Sequence, residues 1–241
     1  MASESRGRAS EIRGFPSHPS HTLSALSGGA FVVLIVVSFL LDLDRPHFGD
    51  SPAAFASYYT DKQSQLQISL LLAALSTVWL AWFFGMLRWL YGGAEKATRG
   101  FVRAAPIAFA GGITGLAIAG ATGVAQLTAV EVAGSVPDSV VRALDLMSVY
   151  GLVWAELLLS VHLLSAFFVI RVTEVLPQWL GIVAIAGAVV GFFQAGLVLS
   201  PGQDDSVFGI AGQLWFLLFL VYIFFASISI ARRAETALLA R

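Results

Sequence analysis

The chain of 241 residues contains no cysteine and has few charges. The lack of cysteine excludes disulfides, iron–sulfur clusters, thiolate zinc sites, covalent haem attachment and cysteine lipidation. Charged residues make up 12% of the chain, against roughly 25% in an ordinary soluble domain. Because so few charges cannot cover a water-facing surface of this size, a soluble globular protein is excluded. The formal net charge of −1 gives no basis for a nucleic-acid partner.

Known catalytic and cofactor signatures are also missing from the sequence. It has no HExxH, no GxSxG and no phosphate-binding GxxxxGK[ST] segment. Both lysines, Lys62 and Lys96, lie outside the apolar runs, so an internal retinal Schiff base is excluded. The one histidine within these runs cannot provide two-histidine haem ligation or a histidine-rich metal site. We therefore expect no catalytic, cofactor-binding or metal site, and no cofactor.

What the sequence does contain is long apolar runs, with 57% hydrophobic residues and a mean hydropathy of +0.81. A helix that crosses the hydrocarbon needs roughly 20 such residues. Six segments meet or approach that length: 26–41, 68–90, 105–127, 146–170, 180–199 and 208–231. In lipid every backbone polar group needs a partner, which only helices and closed barrels provide, and runs such as 214–220 lack the alternation of barrel strands. The sequence predicts an all-α, six-span transmembrane bundle over residues 26–231.

The segments outside the spans are predicted from their polarity. Residues 1–25 are predicted as a disordered cytoplasmic tail, and residues 232–241 as a short basic cytoplasmic tail. Ser200-Pro201-Gly202 predicts a tight turn before the last span. Ser51-Pro52 starts a short helix whose aromatic side chains suit the headgroup level: Phe55, Tyr58 and Tyr59. The alternative of a cleaved signal peptide is weaker, because the small-residue site at 54–56 lies well past the first apolar run.

The distribution of basic residues predicts the orientation. With the N-terminus in the cytoplasm, 11 basic residues lie inside and 3 outside, as the positive-inside rule requires. The outer three are Arg45, Lys62 and Arg142. We therefore expect both termini to be cytoplasmic in a multi-pass protein of the plasma (inner) membrane. The second, fourth and sixth spans, which run back to the cytoplasm, each end in a Phe-Phe pair followed by an arginine. Any cytoplasmic membrane interface favours this pattern, so an internal repeat is the weaker interpretation.

Small residues predict how the spans pack. The third span carries a strip at four-residue spacing: Gly111, Gly115, Ala119 and Gly123. The fifth carries another: Gly187, Gly191 and Ala195. Small side chains let helix backbones approach closely in lipid, so we expect these two spans at the centre and the first and sixth facing lipid. The strips could instead form a homodimer, which we consider the less favoured alternative.

Ionisable and amide side chains within the spans are the candidate functional residues. The fourth span carries Glu156 and His162, which are about 9 Å apart along the helix axis and point in different directions. Amides in the outer halves of the third, fifth and sixth spans accompany them, namely Gln126, Gln194 and Gln213, and Gln67 begins the second helix on the same side. One hypothesis is an outward-facing polar cavity lined by these amides with Glu156 at its floor. The other, which we favour, is a set of separate interhelical hydrogen bonds, worth about 0.6 kcal/mol each.

One stretch carries a family resemblance. Leu176-Pro177-Gln178-Trp179-Leu180-Gly181 resembles the Leu-Pro-x-Trp-Leu-Gly stretch of bacterial multi-span membrane proteins known only as a domain of unknown function. The segment with Asp50-Ser51-Pro52 and Tyr58-Tyr59 is similar to that of actinobacterial members. The resemblance covers about the second to the fifth span. It implies a six- or seven-span inner-membrane protein and implies no activity, cofactor or site residue.

Three functional hypotheses follow from these observations. The first is a non-enzymatic membrane protein that binds or passes a small or lipidic ligand through the polar cavity. The second is a non-catalytic membrane subunit or regulator, whose protein partner contacts the basic segments 99–103 or 232–241. The third is an intramembrane enzyme that uses Glu156 and His162. The sequence identifies neither the ligand nor the oligomeric state.

Overall fold

The computed structural model describes residues 19–47, 49–98, 103–196 and 207–239, with side chains described for residues 24–233 of these ranges. Within them the chain forms seven helices and no strand, which confirms the all-α fold class. The helices are α1 (Pro19–Leu41), α2 (Pro52–Asp61), α3 (Gln63–Ala97), α4 (Ala104–Val132), α5 (Asp138–Thr173), α6 (Gln178–Gln194) and α7 (Val207–Leu239).

Five of the described helices are long and apolar enough to cross a membrane: α1, α3, α4, α5 and α7. The bundle also exposes many large apolar side chains, among them Val78, Trp82 and Ile182, as a membrane protein does towards lipid. The helix α6 is apolar but has only 17 residues. Residues 197–199 of the predicted fifth span, and the predicted turn Ser200-Pro201-Gly202, lie outside the described residues.

Two predicted tails are partly helical. Residues 19–25 belong to α1 rather than to a disordered tail, because Ala25 is buried and its carbonyl accepts a hydrogen bond from Ser227 of α7. At the other end, α7 continues through residues 232–239. Arg233 there donates a hydrogen bond to the carbonyl of Val175, between α5 and α6. Residues 1–18, 240 and 241 lie outside the described part of the chain.

The six longer helices form a ring in which each packs against its neighbours along the chain. Thus α1 packs on α3, α3 on α4, α4 on α5, α5 on α6 and α6 on α7, and α7 returns to α1. The expectation that the third and fifth spans (α4 and α6) lie at the centre is wrong, since α5 is the most buried of the five long helices. The reason is that the small-residue strips of α4 and α6 both face α5 and enclose it between them.

Glycines on α4 set its distance from α5. A Cβ atom at Gly115 would lie 2.8 Å from the carbonyl oxygen of Ala155, and one at Gly111 would lie 2.9 Å from that of Leu158. Any side chain at these two positions would push the helices apart. Gly123, predicted as part of the same strip, is different, because a Cβ atom there would meet nothing within 4 Å. The close contact of α4 with α5 is therefore made by Gly111 and Gly115 and does not include Gly123.

The glycine strip of α6 lies against α5 and α7. A Cβ atom at Gly187 would lie 2.8 Å from the side chain of Leu163. At Gly191 it would overlap the Ser160 hydroxyl and lie 2.5 Å from the indole of Trp215 on α7. Three helices therefore converge at Gly191, one turn before α6 reaches Gln194.

The Leu-Pro-x-Trp-Leu-Gly stretch forms the turn between α5 and α6. Glu174 ends α5 in the left-handed conformation, with a φ of 54°. The carbonyl of Ile170 accepts from the backbone N–H of Glu174 at 2.9 Å and also from the Gln178 side-chain amide at 3.2 Å, which ties the start of α6 to the end of α5. Leu176 and Leu180 are buried, while Trp179 is half exposed and packs edge-on against Phe225. Packing and hydrogen bonding at this turn therefore account for the leucines, the tryptophan and the glutamine of the stretch.

The short helix α2 covers one end of the bundle, called below the α2 end. It is capped by Ser51, whose hydroxyl accepts from the amide of Ala54 at 3.3 Å. Its aromatic residues Phe55, Tyr58 and Tyr59 are buried against α3, α4 and α5. The depth of these rings relative to the headgroups stays a prediction, but they face the protein rather than its surroundings. Their apolar surface is used to hold α2 on the protein.

Candidate functional site

The structure brings two of the predicted site residues into direct contact. The side-chain amide of Gln194, at the end of α6, donates a hydrogen bond to Oε2 of Glu156 on α5. Gln194 is almost fully buried and Glu156 is partly buried. Glu156 lies 11 residues along α5 from Asp145 at the α2 end, or roughly 16 Å. We refer to Glu156 and Gln194 as the pair site.

A second polar layer lies one turn from the pair site. The Ser160 hydroxyl donates to the backbone carbonyl of Glu156 at 2.7 Å and accepts from the indole N–H of Trp215 at 2.9 Å. The Trp215 ring in turn stacks on Phe219, with centroids 5.1 Å apart. Because Gly191 has no side chain, the Trp215 indole can reach Ser160 beside it. The bond between Trp215 and Ser160 joins α7 to α5 next to the pair site, and α6 packs against both at Gly191.

The pair site has more acceptor atoms than donors. Oε1 of Gln194 is buried and has no hydrogen-bond partner. The neighbouring donors are already used, since the Ser160 hydroxyl serves the Glu156 carbonyl and the Trp215 indole serves Ser160. An unsatisfied buried carbonyl typically costs about 1–3 kcal/mol. This oxygen and the neighbouring carboxylate have no donor from the described side chains other than the Gln194 amide itself.

His162 lies apart from the pair site. Its Nδ1 donates to the carbonyl of Ala108 on α4 at 2.8 Å, which assigns the ring proton to that nitrogen. The ring lies 4.5 Å from that of Phe84 and 6.0 Å from that of Tyr222, centroid to centroid. Its Nε2 is buried and has no partner. His162 therefore joins α4 and α5, and no hydrogen bond links it to Glu156.

The other three predicted amides do not bond to the pair site. Gln126 donates to Asp42 at 3.4 Å, at the α2 end. Gln67 and Gln213 are exposed on the surface of the bundle. Among the described side chains of the six predicted residues, only Gln194 and Glu156 share a hydrogen bond.

A charged cluster at the α2 end was not predicted from the sequence. The buried carboxylate of Asp145 accepts from Arg45 at 2.5 Å, from Tyr59 at 2.8 Å and from Arg142 at 3.3 Å. Arg45 also reaches Ser148 at 3.4 Å. This cluster joins the segment after α1 to α2 and α5. We refer to these five residues as the Asp145 cluster.

Two further ion and hydrogen-bond contacts surround the Asp145 cluster. Tyr58 donates to Asp42 at 2.5 Å, and Lys62 lies 2.5 Å from Asp44. The Arg142 guanidinium lies 3.9 Å from the centre of the Phe55 ring, a cation–π contact. All three basic residues at this end of the bundle are thus paired with an acid.

The environment of the Asp145 cluster shifts the pKa of three groups. Burial alone would lower the pKa of Arg45, but the attraction of Asp145 and their hydrogen bond outweigh it and raise that pKa. Burial, followed by the hydrogen bond to Asp42, raises the pKa of the Tyr58 hydroxyl. Burial also raises the pKa of Tyr59, and its bond to Asp145 acts in the same direction. Arg45 is therefore held as a cation and both tyrosines as neutral donors.

The sequence held only a weak signal for the Asp145 cluster. Arg45 and Asp145 both lie just outside predicted spans, but 100 residues separate them. Nothing in the spacing pairs one with the other. The aromatic pair Tyr58-Tyr59 was the one local signal, since tyrosines beside a charged segment can serve as hydrogen-bond donors.

No group of three or more His, Asp or Glu side chains that could hold a metal ion occurs in the part of the chain that the structure describes. No protein-family model, no curated protein and no solved structure matches the chain. The resemblance of residues 176–181 to a bacterial membrane protein family stays a prediction.

Proposed function

We propose that the chain is a six-span protein of the bacterial plasma membrane, with both termini in the cytoplasm and α2 on the outer face. The proposal rests on the five long apolar helices and the apolar α6, together with the concentration of basic residues at the end opposite α2. The three basic residues at the α2 end are all ion-paired, which lowers the cost of placing them outside. In this orientation the pair site lies in the outer half of the bundle.

We further propose that the protein binds a small polar ligand at the pair site and is not an enzyme. The observation that carries this proposal is the buried, unpartnered Oε1 of Gln194 next to the carboxylate of Glu156. Acidic side chains at membrane depth are costly and mark functional sites by default. The alternative role, a membrane subunit or regulator that acts through protein partners, does not require this atom to be left without a partner.

A thermal-stability screen tests the ligand role. The purified chain in lipid nanodiscs would be mixed with chemically diverse solutes, namely alkali salts, small amines, organic anions, sugars and short-chain lipids. A ligand at about 100 times its Kd stabilises the folded state by about 2.7 kcal/mol. We expect at least one solute to raise the unfolding temperature of the wild type and not that of Glu156→Gln.

The matched control is Glu131→Gln, which makes the same chemical change at an exposed position near the end of α4. It should respond to every solute as the wild type does. If wild type, Glu156→Gln and Glu131→Gln respond alike to all solutes, the ligand role is wrong and the role through protein partners is the remaining interpretation.

A further inference from the structure

We infer that the pair site takes a small monovalent cation, either an alkali ion or a primary ammonium group. This inference rests on the proposed ligand role of the same two residues and names the chemical class of the ligand. The guest would contact the Glu156 carboxylate and Oε1 of Gln194, which belongs to the same amide whose Nε2 donates to that carboxylate.

The hydrogen bonds of the pair site favour a guest that donates hydrogen bonds or carries a positive charge. The Glu156 carboxylate and the buried Oε1 of Gln194 are both acceptors. The Ser160 hydroxyl and the Trp215 indole, which could have served an anionic or carbonyl-bearing ligand, donate elsewhere. The complementary guest carries N–H donors or a bare positive charge.

The charge of the site also points to a cation. Among the described residues Glu156 has no ion-pair partner, whereas at the α2 end Asp44 has one and Asp145 has two. A carboxylate away from water is stable only when a positive charge or a proton balances it. A single positive charge leaves the pair site neutral.

The single carboxylate of the site argues against a divalent ion, which would leave a net charge of +1 among apolar helices. Calcium takes six to eight oxygen ligands and magnesium requires an octahedron, usually with more than one carboxylate or several waters. The pair site offers one carboxylate and one amide oxygen. Its walls are also close, since a Cβ atom at Gly212 of α7 would lie 3.0 Å from Nε2 of Gln194. A small guest of charge +1 fits both limits.

Carbodiimide labelling tests this inference. Dicyclohexylcarbodiimide enters apolar regions and modifies protonated carboxyl groups, so its adduct on Glu156 can be followed by mass spectrometry of the full chain in nanodiscs. NaCl, KCl and methylammonium chloride would be compared at constant ionic strength and pH against choline chloride, whose quaternary nitrogen has no N–H. We expect at least one of the three cations to slow labelling of Glu156 about tenfold near 10 times its Kd, with labelling of Glu131 unchanged.

Two variants localise the effect. Gln194→Leu keeps the approximate volume and removes the amide oxygen, so the concentration of cation needed for protection should rise about five- to tenfold. Gln213→Leu, the same change at an exposed position on α7, should leave that concentration unchanged. If Gln194→Leu fails to fold, protection of the wild type by the three cations decides the matter.

The outcomes separate this inference from the proposed function. Labelling that depends on pH alone, equally in all four salts, would mean that only a proton balances Glu156, and the inference would be wrong. A second outcome is that an anionic or neutral solute stabilises the wild type but not Glu156→Gln, while no cation slows the labelling of Glu156. The inference of a cation would then be wrong, and the proposed ligand role would remain. If neither labelling protection nor solute stabilisation depends on Glu156, both proposals are wrong.

Discussion

The Arg45 guanidinium lies 2.5 Å from the Asp145 carboxylate, although 100 residues separate them in the chain. Asp145 is almost completely buried, with a side-chain exposure of 1%. Its charge is therefore stable only because Arg45, Arg142 and Tyr59 surround it. The bond closes the segment between α1 and α2 over the end of α5.

Removing the charge of Asp145 should weaken the whole fold. Asp145→Asn leaves Arg45 partly buried without its counter-ion, and breaking such a pair costs about 3 kcal/mol. We expect the free energy of unfolding in mixed micelles to fall by about that amount. Asp138→Asn, the same change at an exposed position in the first turn of α5, should cost only about 0.5 kcal/mol. Equal losses in the two variants would show that the Asp145 cluster does not hold α2 in place.

Alkaline pH should destabilise the α2 end through its tyrosines. Burial raises the pKa of Tyr58 and Tyr59 above the ordinary tyrosine value of about 10. The unfolded chain therefore loses these protons at lower pH than the folded chain, and stability falls as the pH rises above about 10. Below that pH the contribution is fully present.

The variant Tyr59→Phe isolates this effect. It cannot ionise at position 59, so the slope of unfolding free energy against pH should be shallower than in the wild type above about pH 10. Tyrosinate absorbance measured along the same titration should show, in Tyr59→Phe, one fewer tyrosine that ionises above the ordinary pH range than in the wild type. A slope identical to that of the wild type would mean that Tyr59 is not held neutral by burial.

Gly115 should tolerate no side chain. A Cβ atom there would lie 2.8 Å from a backbone carbonyl of α5, which cannot move aside. We expect Gly115→Ala to lower stability by about 1–3 kcal/mol, as overpacking does. Gly123→Ala, where a Cβ atom meets nothing within 4 Å, should be neutral or should stabilise α4 by up to about 1 kcal/mol. A larger loss at Gly123 than at Gly115 would indicate that the strip mediates contact between two copies of the chain.

The hydroxyl groups of Tyr91 and Tyr222 lie 2.5 Å apart and join α3 to α7 in the interior. Tyr91→Phe alone leaves the buried Tyr222 hydroxyl without a partner and should cost about 1–3 kcal/mol. The double variant Tyr91→Phe/Tyr222→Phe removes both groups and should be at least as stable as the less stable single variant. Equilibrium unfolding of all four proteins forms a double-mutant cycle, and strictly additive losses would mean that the two hydroxyl groups do not interact.

The long helices could be predicted because their signal is local. An apolar run such as 146–170 reflects the apolar surroundings of a single helix, so composition alone is enough to predict that helix. The helix ends are set by contacts between distant segments and were missed for that reason. Residues 19–25 become helical because Ala25 packs against α7, a contact that no window of sequence contains.

The candidate site was predictable residue by residue but not as an arrangement. Glu156 and Gln194 can be selected from the sequence because they are polar groups in apolar runs. The sequence does not show that these two residues bond to each other, or that Gln126 bonds to Asp42 instead. The burial of α5 was missed because the strips on α4 and α6 were taken to mark central helices. In the structure those strips enclose the helix between them.

The six-span topology is tested most directly by labelling single introduced cysteines. The sequence contains no cysteine, so no native thiol contributes to the labelling. Single cysteines would be introduced by Asp50→Cys, Ser135→Cys, Asp204→Cys, Thr98→Cys and Glu174→Cys, and spheroplasts would be treated with a membrane-impermeant maleimide. The account predicts labelling at positions 50, 135 and 204 in intact spheroplasts, and at 98 and 174 only after lysis. Labelling of position 98 or 174 from outside, or protection of position 204 until lysis, would contradict six spans with the basic ends in the cytoplasm.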